Sequence, residues 1–169
     1  DAAALLERTC ANRVDRPAGS VVYGQFLDDR GGIVADVTIT HLAEERFRVV
    51  TGAGTVSSDL GWLRQSLRDG ERVDLRDSSD ESCVIGFWGP RARALLQNVT
   101  RDDAGDGALP FYQARELAIA GVRVLAQRLT YVGELGYELY VAPEDAVQVW
   151  DRLVAAGAPL GIAHVGYRA

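Results

Sequence analysis

Hydrophobic and polar residues alternate along two neighbouring stretches near the start of the chain. Residues 21–27 are rich in β-branched and aromatic side chains. Residues 33–40 place their hydrophobic members on one strand face, namely Ile33, Ala35, Val37 and Ile39. The sequence DDRGG between the two stretches, at 28–32, has the composition of a turn. This pattern predicts an antiparallel hairpin, and residues 46–50 predict a third strand.

Further along, several stretches have the spacing of amphipathic helices. They cover residues 4–14, a stretch capped by Ser57 or Ser58 that ends near Leu67, residues 91–99, and residues 144–156. The last helix is predicted to bury Trp150. Strands are predicted at 72–77, 82–88, 116–119, 122–131 and 137–141. Antiparallel strands with helices interspersed among them indicate the α+β fold class rather than a parallel α/β fold.

The composition is that of a globular protein, with 169 residues, 47% hydrophobic, and a net charge of −6. An acidic surface repels phosphate groups, which argues against nucleic acid as a partner. No run of about 18 apolar residues predicts a membrane span, and no signal segment is recognisable. Cys10 and Cys83 lack the spacing of a metal or disulfide framework, so we expect a cytoplasmic protein without a metal site. The absence of methionine indicates a piece of a longer polypeptide.

The predicted first hairpin offers a tyrosine and a carboxylate to one ligand. If Leu27 pairs with Gly32 across the turn, Tyr23 lies opposite Asp36 on the polar face. A shift of one residue would separate the two side chains, so the pairing depends on the register.

A second candidate pair, Tyr131 and Glu138, flanks a turn that contains Gly133 and Gly136. A register centred on residues 134–135 places the two side chains opposite each other. An aromatic surface can pack against a flat heteroaromatic ligand, and a carboxylate can accept two parallel N–H hydrogen bonds from an amino-pyrimidine edge. A tyrosine beside an acid is common on exposed strands, however, so the pairs alone do not identify a function.

Both hairpins carry longer motifs. Residues 23–36, YGQFLDDRGGIVAD, resemble the first folate-binding motif of the aminomethyltransferase family, residues 130–141, TYVGELGYELYV, resemble its second, and the final GYRA is similar to the start of a third. This family includes the T protein of the glycine cleavage system and the C-terminal halves of dimethylglycine and sarcosine dehydrogenases or oxidases. The resemblance implies the family's pseudo-repeated fold. A first folate-binding subdomain is expected at 1–80 and a second, ferredoxin-like subdomain at 81–169, both truncated.

The resemblance also implies roles for single residues, all serving tetrahydrofolate as the cofactor. Asp36 would be the catalytic residue, which orients or activates the folate nitrogens that take up the one-carbon unit. Glu138 would bind the amino-pyrimidine side of the pterin. Tyr23 and Tyr131 would line the folate pocket, and Arg168 would contact the cofactor or support Asp36. This interpretation requires positions 36 and 138 to serve one cavity.

One departure from the family pattern is Thr40, which stands where the T protein often has tyrosine. This difference, together with the sequence YVGELGYELYVAPEDAVQVWDRL at 131–153, favours the dehydrogenase branch. In that branch a flavin domain oxidises a methylated amine to an iminium, which tetrahydrofolate captures as 5,10-methylenetetrahydrofolate. The chain has no Gly-rich dinucleotide fingerprint, so FAD is expected only in a separate domain, fused or associated.

Two alternatives stay open. The chain could belong to a T protein, which takes an aminomethyl group from a lipoyl carrier, or it could be a folate-binding scaffold module without catalytic activity. Because the third motif is cut after Arg168, we expect the isolated chain to bind folate weakly and to be inactive. Trp62, Trp88 and Trp150 are expected to be packing residues.

Overall fold

A computed structural model describes residues 1–166 of the chain. The chain divides into two compact units, Asp1–Ser78 (the first unit) and Ser79–Ala169 (the second unit), close to the division expected after residue 80. Each unit combines an antiparallel sheet with helices, and the predicted α+β class is confirmed. Within residues 1–166, no helix is long and apolar enough to cross a membrane, and no cluster of His, Cys, Asp and Glu is arranged to hold a metal ion.

The first unit is built on a three-stranded sheet in the order β1-β2-β3. Its elements are α1 (Ala2–Thr9), β1 (Val21–Leu27), β2 (Ile33–Ala43), β3 (Arg46–Val50) and α2 (Val56–Gln65). One face of the sheet contributes to a buried core that contains Leu6, Val14, Phe26, Ala35, Val37, Ile39 and Leu63. The strand predicted at 72–77 is wrong, because this segment forms no ladder with another strand and its Leu75 packs against the core instead.

The first helix is shorter than predicted and does not reach residue 14. Cys10 is extended instead and forms a bridge with Phe26 on the outer edge of β1, and residues 11–12 bend along the same edge. The Ala11 N–H donates to the Gln25 carbonyl at 2.9 Å, and the Asn12 side-chain amide donates to the Tyr23 carbonyl at 2.6 Å. An asparagine side chain that bonds to backbone competes with helix formation, which accounts for the early end of α1.

The start of α2 also differs from the prediction. Neither Ser57 nor Ser58 is the residue that precedes the helix, which is Thr55. The Thr55 hydroxyl donates to the buried Asp59 carboxylate at 2.7 Å, and the Thr51 hydroxyl donates to the same oxygen. A carboxylate in the first turn is favoured by the helix dipole, so Asp59 fixes this end of α2.

The second unit has a four-stranded sheet in the order β4-β7-β6-β5. Its main elements are β4 (Cys83–Trp88), α3 (Ala92–Val99), β5 (Gln113–Ile119), β6 (Val122–Arg128), β7 (Gly136–Val141) and α4 (Ala146–Gly157). The helices pack against one face of this sheet, and the core between them includes Leu95, Leu96, Val99, Leu117, Val124, Tyr137, Leu139, Val149 and Leu153. The prediction that α4 buries Trp150 is wrong, because this side chain is 43% exposed and meets the His164 ring edge-on.

Asp106, in the connection between α3 and β5, holds two arginine side chains. Its carboxylate accepts hydrogen bonds from Arg93 at 2.9 Å and from Arg128 at 2.6 Å. Both guanidinium groups are largely buried, whereas Asp106 is exposed. The connection is therefore fastened to α3 and to β6 through one carboxylate.

Candidate functional site

Asp36 lies on the polar face of β2, and two neighbouring side chains orient it. Its Oδ1 accepts a hydrogen bond from Tyr23 Oη at 3.0 Å and another from Gln25 Nε2 at 2.9 Å. Asp36 is exposed, Tyr23 is 47% exposed, and Oδ2 has no hydrogen-bond partner among the residues that the structure describes. The carboxylate is thus held in place and keeps one oxygen for a ligand.

The predicted pairing of Leu27 with Gly32 is wrong. Asp28 closes the turn, since its N–H donates to the Gly32 carbonyl at 2.9 Å and its Oδ1 accepts the Gly32 N–H at 2.7 Å. Leu27 consequently pairs with Ile33. A bulge between Phe26 and Leu27 then shifts the register by a second residue.

The predicted direct pairing of Tyr23 with Asp36 is therefore also wrong, although the two side chains do meet. In the sheet Tyr23 lies opposite Thr38, and Gln25 lies opposite Asp36. Because side chains alternate with a period of two, a shift of two residues leaves Tyr23 on the same face, and it reaches Asp36 diagonally. The motifs did not predict a role for Gln25, for which the available signal was its place two residues after Tyr23 on the same strand face.

Thr40, the departure from the family motif, lies on the same strand face as Asp36 but is fully buried. Its neighbours in the ladder are Val21 on β1 and Arg48 on β3. A threonine there contributes no aromatic surface, so on β1 and β2 the aromatic contribution to this face comes from Tyr23 alone.

Cys10 lies on the opposite side of β1, next to Gly24. A Cβ built on Gly24 would lie 2.8 Å from Cys10 Sγ, so only glycine allows this close approach. Burial raises the pKa of the Cys10 thiol. The thiol therefore stays protonated at neutral pH and is not a candidate nucleophile.

Glu138 lies in β7, an inner strand of the second unit's sheet. It is opposite Gly86 on β4 and Gln127 on β6. Tyr140 Oη donates to Glu138 Oε2 at 2.8 Å, and Oε1 has no hydrogen-bond partner within residues 1–166. Since α3 and α4 cover the face that carries Tyr137 and Leu139, these side chains project from the opposite face of the sheet.

Tyr131 does not pair with Glu138, so the predicted register of the second hairpin is wrong. β6 ends before Tyr131, and Gln127 is the β6 residue opposite Glu138. Tyr131 lies in the connection between the strands and is 87% exposed. The Gly89 N–H donates to the Leu135 carbonyl at 2.8 Å, which bonds the start of β7 to the end of β4 and leaves a long connection in place of a tight turn.

Arg168 lies outside the described residues, and its role stays a prediction. Ligand-binding roles for Tyr23 and Tyr131 stay predictions as well. Asp36 belongs to the first unit and Glu138 to the second. Each carboxylate is oriented by a tyrosine hydroxyl and keeps an oxygen that can accept an N–H hydrogen bond from a ligand.

The whole chain matches a family model, since residues 1–169 match the GCVT N-terminal domain. Mitochondrial dimethylglycine dehydrogenase from Rattus norvegicus is 36% identical over 167 residues, which cover 98% of this chain and 19% of that protein. An aminomethyltransferase from Halothermothrix orenii is 32% identical over 162 residues, which cover 95% of this chain and 44% of that protein. The chain therefore spans less than half of these curated relatives.

Among solved structures, the glycine cleavage system aminomethyltransferase T from Bartonella henselae is similar to this chain with a TM-score of 0.70 and 25% identity. The similar region covers 90% of this chain and 40% of that one. The family resemblance and the fold class predicted from the motifs are thus confirmed.

Proposed function

This chain belongs to the GCVT N-terminal domain family, and from that premise we propose that it is the tetrahydrofolate-binding, one-carbon transfer domain of an amine-oxidising enzyme. The domain would capture the iminium of an oxidised methylated amine and give 5,10-methylenetetrahydrofolate. The observation that carries the proposal is the Asp36 carboxylate, held by two donors with one oxygen free. The 36% identity to a dimethylglycine dehydrogenase supports the amine-oxidising branch.

The proposed transfer changes no oxidation state. Tetrahydrofolate supplies two N–H nitrogens that bond to the iminium carbon. The carbon–nitrogen bond to the amine breaks, and the two displaced protons leave on the amine, which departs as its ammonium form. Because an iminium is already a strong electrophile, the chain needs chiefly to position the nitrogens and to exclude water, which would hydrolyse the iminium to formaldehyde.

Each candidate residue has a role in this scheme. Asp36 Oδ2 is available to accept the N–H of a reacting nitrogen and to take its proton. Glu138 Oε1 is available to accept N–H bonds from the amino-pyrimidine edge. Tyr23 and Tyr131 would line the pocket, and Arg168 would contact the cofactor or support Asp36.

The oxidation itself would use FAD in a separate flavin domain, fused or associated. This chain has no Gly-rich dinucleotide fingerprint, and it spans 19% of the dehydrogenase relative. The free thiols of Cys10 and Cys83 support a reducing compartment such as the cytoplasm, whereas the rat relative is named as mitochondrial. The acidic charge supports a small-molecule partner rather than nucleic acid.

The proposal can be tested by following the fate of the oxidised carbon. The full-length protein is supplied with dimethylglycine or sarcosine, with and without tetrahydrofolate, and formaldehyde and 5,10-methylenetetrahydrofolate are both measured. We expect tetrahydrofolate to lower formaldehyde release and to yield the methylene product in the same amount. Glu138→Gln should raise the tetrahydrofolate concentration needed, whereas Glu134→Gln, at an exposed residue of the connection before β7, should not. If the wild type releases the same amount of formaldehyde with and without tetrahydrofolate, the proposal is overturned.

A second candidate function is that of the T protein, which the aminomethyltransferase relative and the Bartonella henselae structure favour. It predicts ammonia release and methylene product from an aminomethylated lipoyl carrier protein and tetrahydrofolate, without any amine oxidation. A non-catalytic folate-binding module is the remaining alternative. Folate-coupled product formation that persists in Asp36→Ala would favour that module.

A further inference from the structure

Two glycines on neighbouring strands make room for one indole ring. In the β4–β7 ladder, Trp88 lies opposite Gly136, and Gly86 lies two residues earlier on the same face of β4. A Cβ on Gly86 would overlap the six-membered ring of Trp88, and a Cβ on Gly136 would overlap its five-membered ring. The indole therefore lies flat across the backbone of both strands.

This placement is not that of an ordinary core tryptophan. The preceding residue, Phe87, points to the helix-covered face and packs against the buried Tyr137 at a centroid distance of 5.6 Å. Trp88 points to the other face and stays 39% exposed. One face of the indole packs on the backbone of the two glycines, and this contact explains the buried part of the side chain. The exposed remainder is unexplained by packing.

The indole lies beside Glu138. Gly86, which supports the six-membered ring, is the β4 residue directly opposite Glu138. Directly opposite residues in an antiparallel pair have Cβ positions about 5 Å apart, so the ring edge and the carboxylate are neighbours. Glu138 Oε2 accepts a hydrogen bond from Tyr140, and Oε1 is free within the described residues.

An aromatic surface next to a carboxylate that has one oxygen available as an acceptor suits a flat, bicyclic amino-heteroaromatic ring. Such a ring stacks through its face and donates N–H hydrogen bonds through its edge. We propose that Trp88 is the surface on which the pterin ring stacks while Glu138 binds its amino-pyrimidine edge. This inference rests on the proposed folate function and assigns Trp88 as a residue that determines affinity for the bicyclic ring.

The test measures affinity in the full-length protein by titration calorimetry with 5-formyltetrahydrofolate, which resists oxidation. Trp88→Leu should weaken binding about tenfold, since stacking of a base on an aromatic side chain contributes that order of affinity. Trp88→Phe should retain part of the affinity because it keeps a smaller ring. Trp150→Leu is the matched control, since Trp150 is similarly exposed at 43% but lies on α4, and its affinity should equal the wild type's.

The outcomes separate this inference from the function on which it rests. Wild-type affinity in Trp88→Leu, with weaker binding in Glu138→Gln, would overturn the role of Trp88 and leave the folate function standing. No binding by the wild type would overturn both. If Trp88→Leu does not fold, fluorescence decides: the ligand should quench wild-type emission and should quench Trp88→Phe much less, and equal quenching would overturn the inference.

Discussion

Replacing Asp36 by asparagine separates the charge of this side chain from its hydrogen bonds. Asparagine keeps an acceptor oxygen for Tyr23 and Gln25, whose donors lie 3.0 and 2.9 Å from Asp36 Oδ1. A neutral hydrogen bond contributes about 0.5–1.5 kcal/mol to stability, and one to a charged group about 1.5–3 kcal/mol. Because Asp36 is exposed, water offsets most of the difference, and the free energy of unfolding should change by less than about 1 kcal/mol.

The effect of Asp36→Asn on transfer should be much larger than its effect on stability. An amide cannot take a proton from the reacting nitrogen, and a positioned acid–base group contributes about 100-fold or more to rate. Positioning is the main requirement for iminium capture, so the lower end of that range applies. We expect the folate-coupled rate to fall about 100-fold. The amine should still be oxidised, with its carbon released as formaldehyde.

The assay follows methylene product and formaldehyde in parallel, with urea unfolding of the same preparations. Asp29→Asn is the matched control, because Asp29 is an exposed aspartate in the turn of the same hairpin and its side chain makes no hydrogen bond or ion pair with residues 1–166. The control should behave like the wild type in all measurements. An Asp36→Asn protein that keeps wild-type folate-coupled product formation would refute the assigned role of the carboxylate.

Stability and thiol reactivity give three more predictions. The Arg8 guanidinium donates to Glu71 at 2.9 Å and holds the pKa of that carboxyl below its ordinary value. The ion pair between Arg8 and Glu71 therefore stabilises the fold fully above the unfolded-state pKa of about 4.3. This stabilisation is lost as pH falls through the lower pKa that Glu71 has in the folded state. Glu71→Gln should unfold at lower urea than the wild type at neutral pH, and this difference should vanish in strong acid; a constant difference would contradict it. Iodoacetamide should alkylate exposed Cys83 well before Cys10, whose pKa is raised by burial, and peptide mass spectrometry showing equal rates would contradict this. Asp106→Ala should lower the free energy of unfolding by about 1–3 kcal/mol, since two largely buried guanidinium groups lose their carboxylate, and an unchanged urea midpoint would count against that.

The orientation of β2 could be predicted because it depends only on residues within that strand. The alternation that sends Ala35 and Val37 into the core also sends Asp36 to the opposite face. The register could not be predicted, because it depends on the hydrogen bonds of Asp28 within the turn and on the bulge after Phe26. The contact of Tyr23 with Asp36 was found only because these two shifts add to an even number.

The surroundings of Glu138 were less accessible to sequence reasoning. β7 has two neighbouring strands, and the one that carries Gly86 and Trp88 lies much earlier in the chain. Spacing within one hairpin therefore favours Tyr131 as the aromatic partner of Glu138. In the structure, the hydrogen bond from Gly89 to Leu135 joins β7 to β4, and the tight turn that this pairing needs is absent between β6 and β7. The segment around Trp88 predicts a packing residue, because the contact of its ring with the distant Gly136 has no signal in that segment.

Residues 10–12 cover the outer edge of β1 and limit what that edge can bind. An open strand edge can recruit a strand from another molecule, which is a route to aggregation. Here backbone and side-chain amides of Ala11 and Asn12 already occupy the carbonyls of Gln25 and Tyr23. A truncation that removed this stretch would loosen β1, the strand that carries Tyr23. It would also leave an unpaired strand edge that can pair with another molecule. Solubility and the shape of the candidate site are thereby linked through one short piece of backbone.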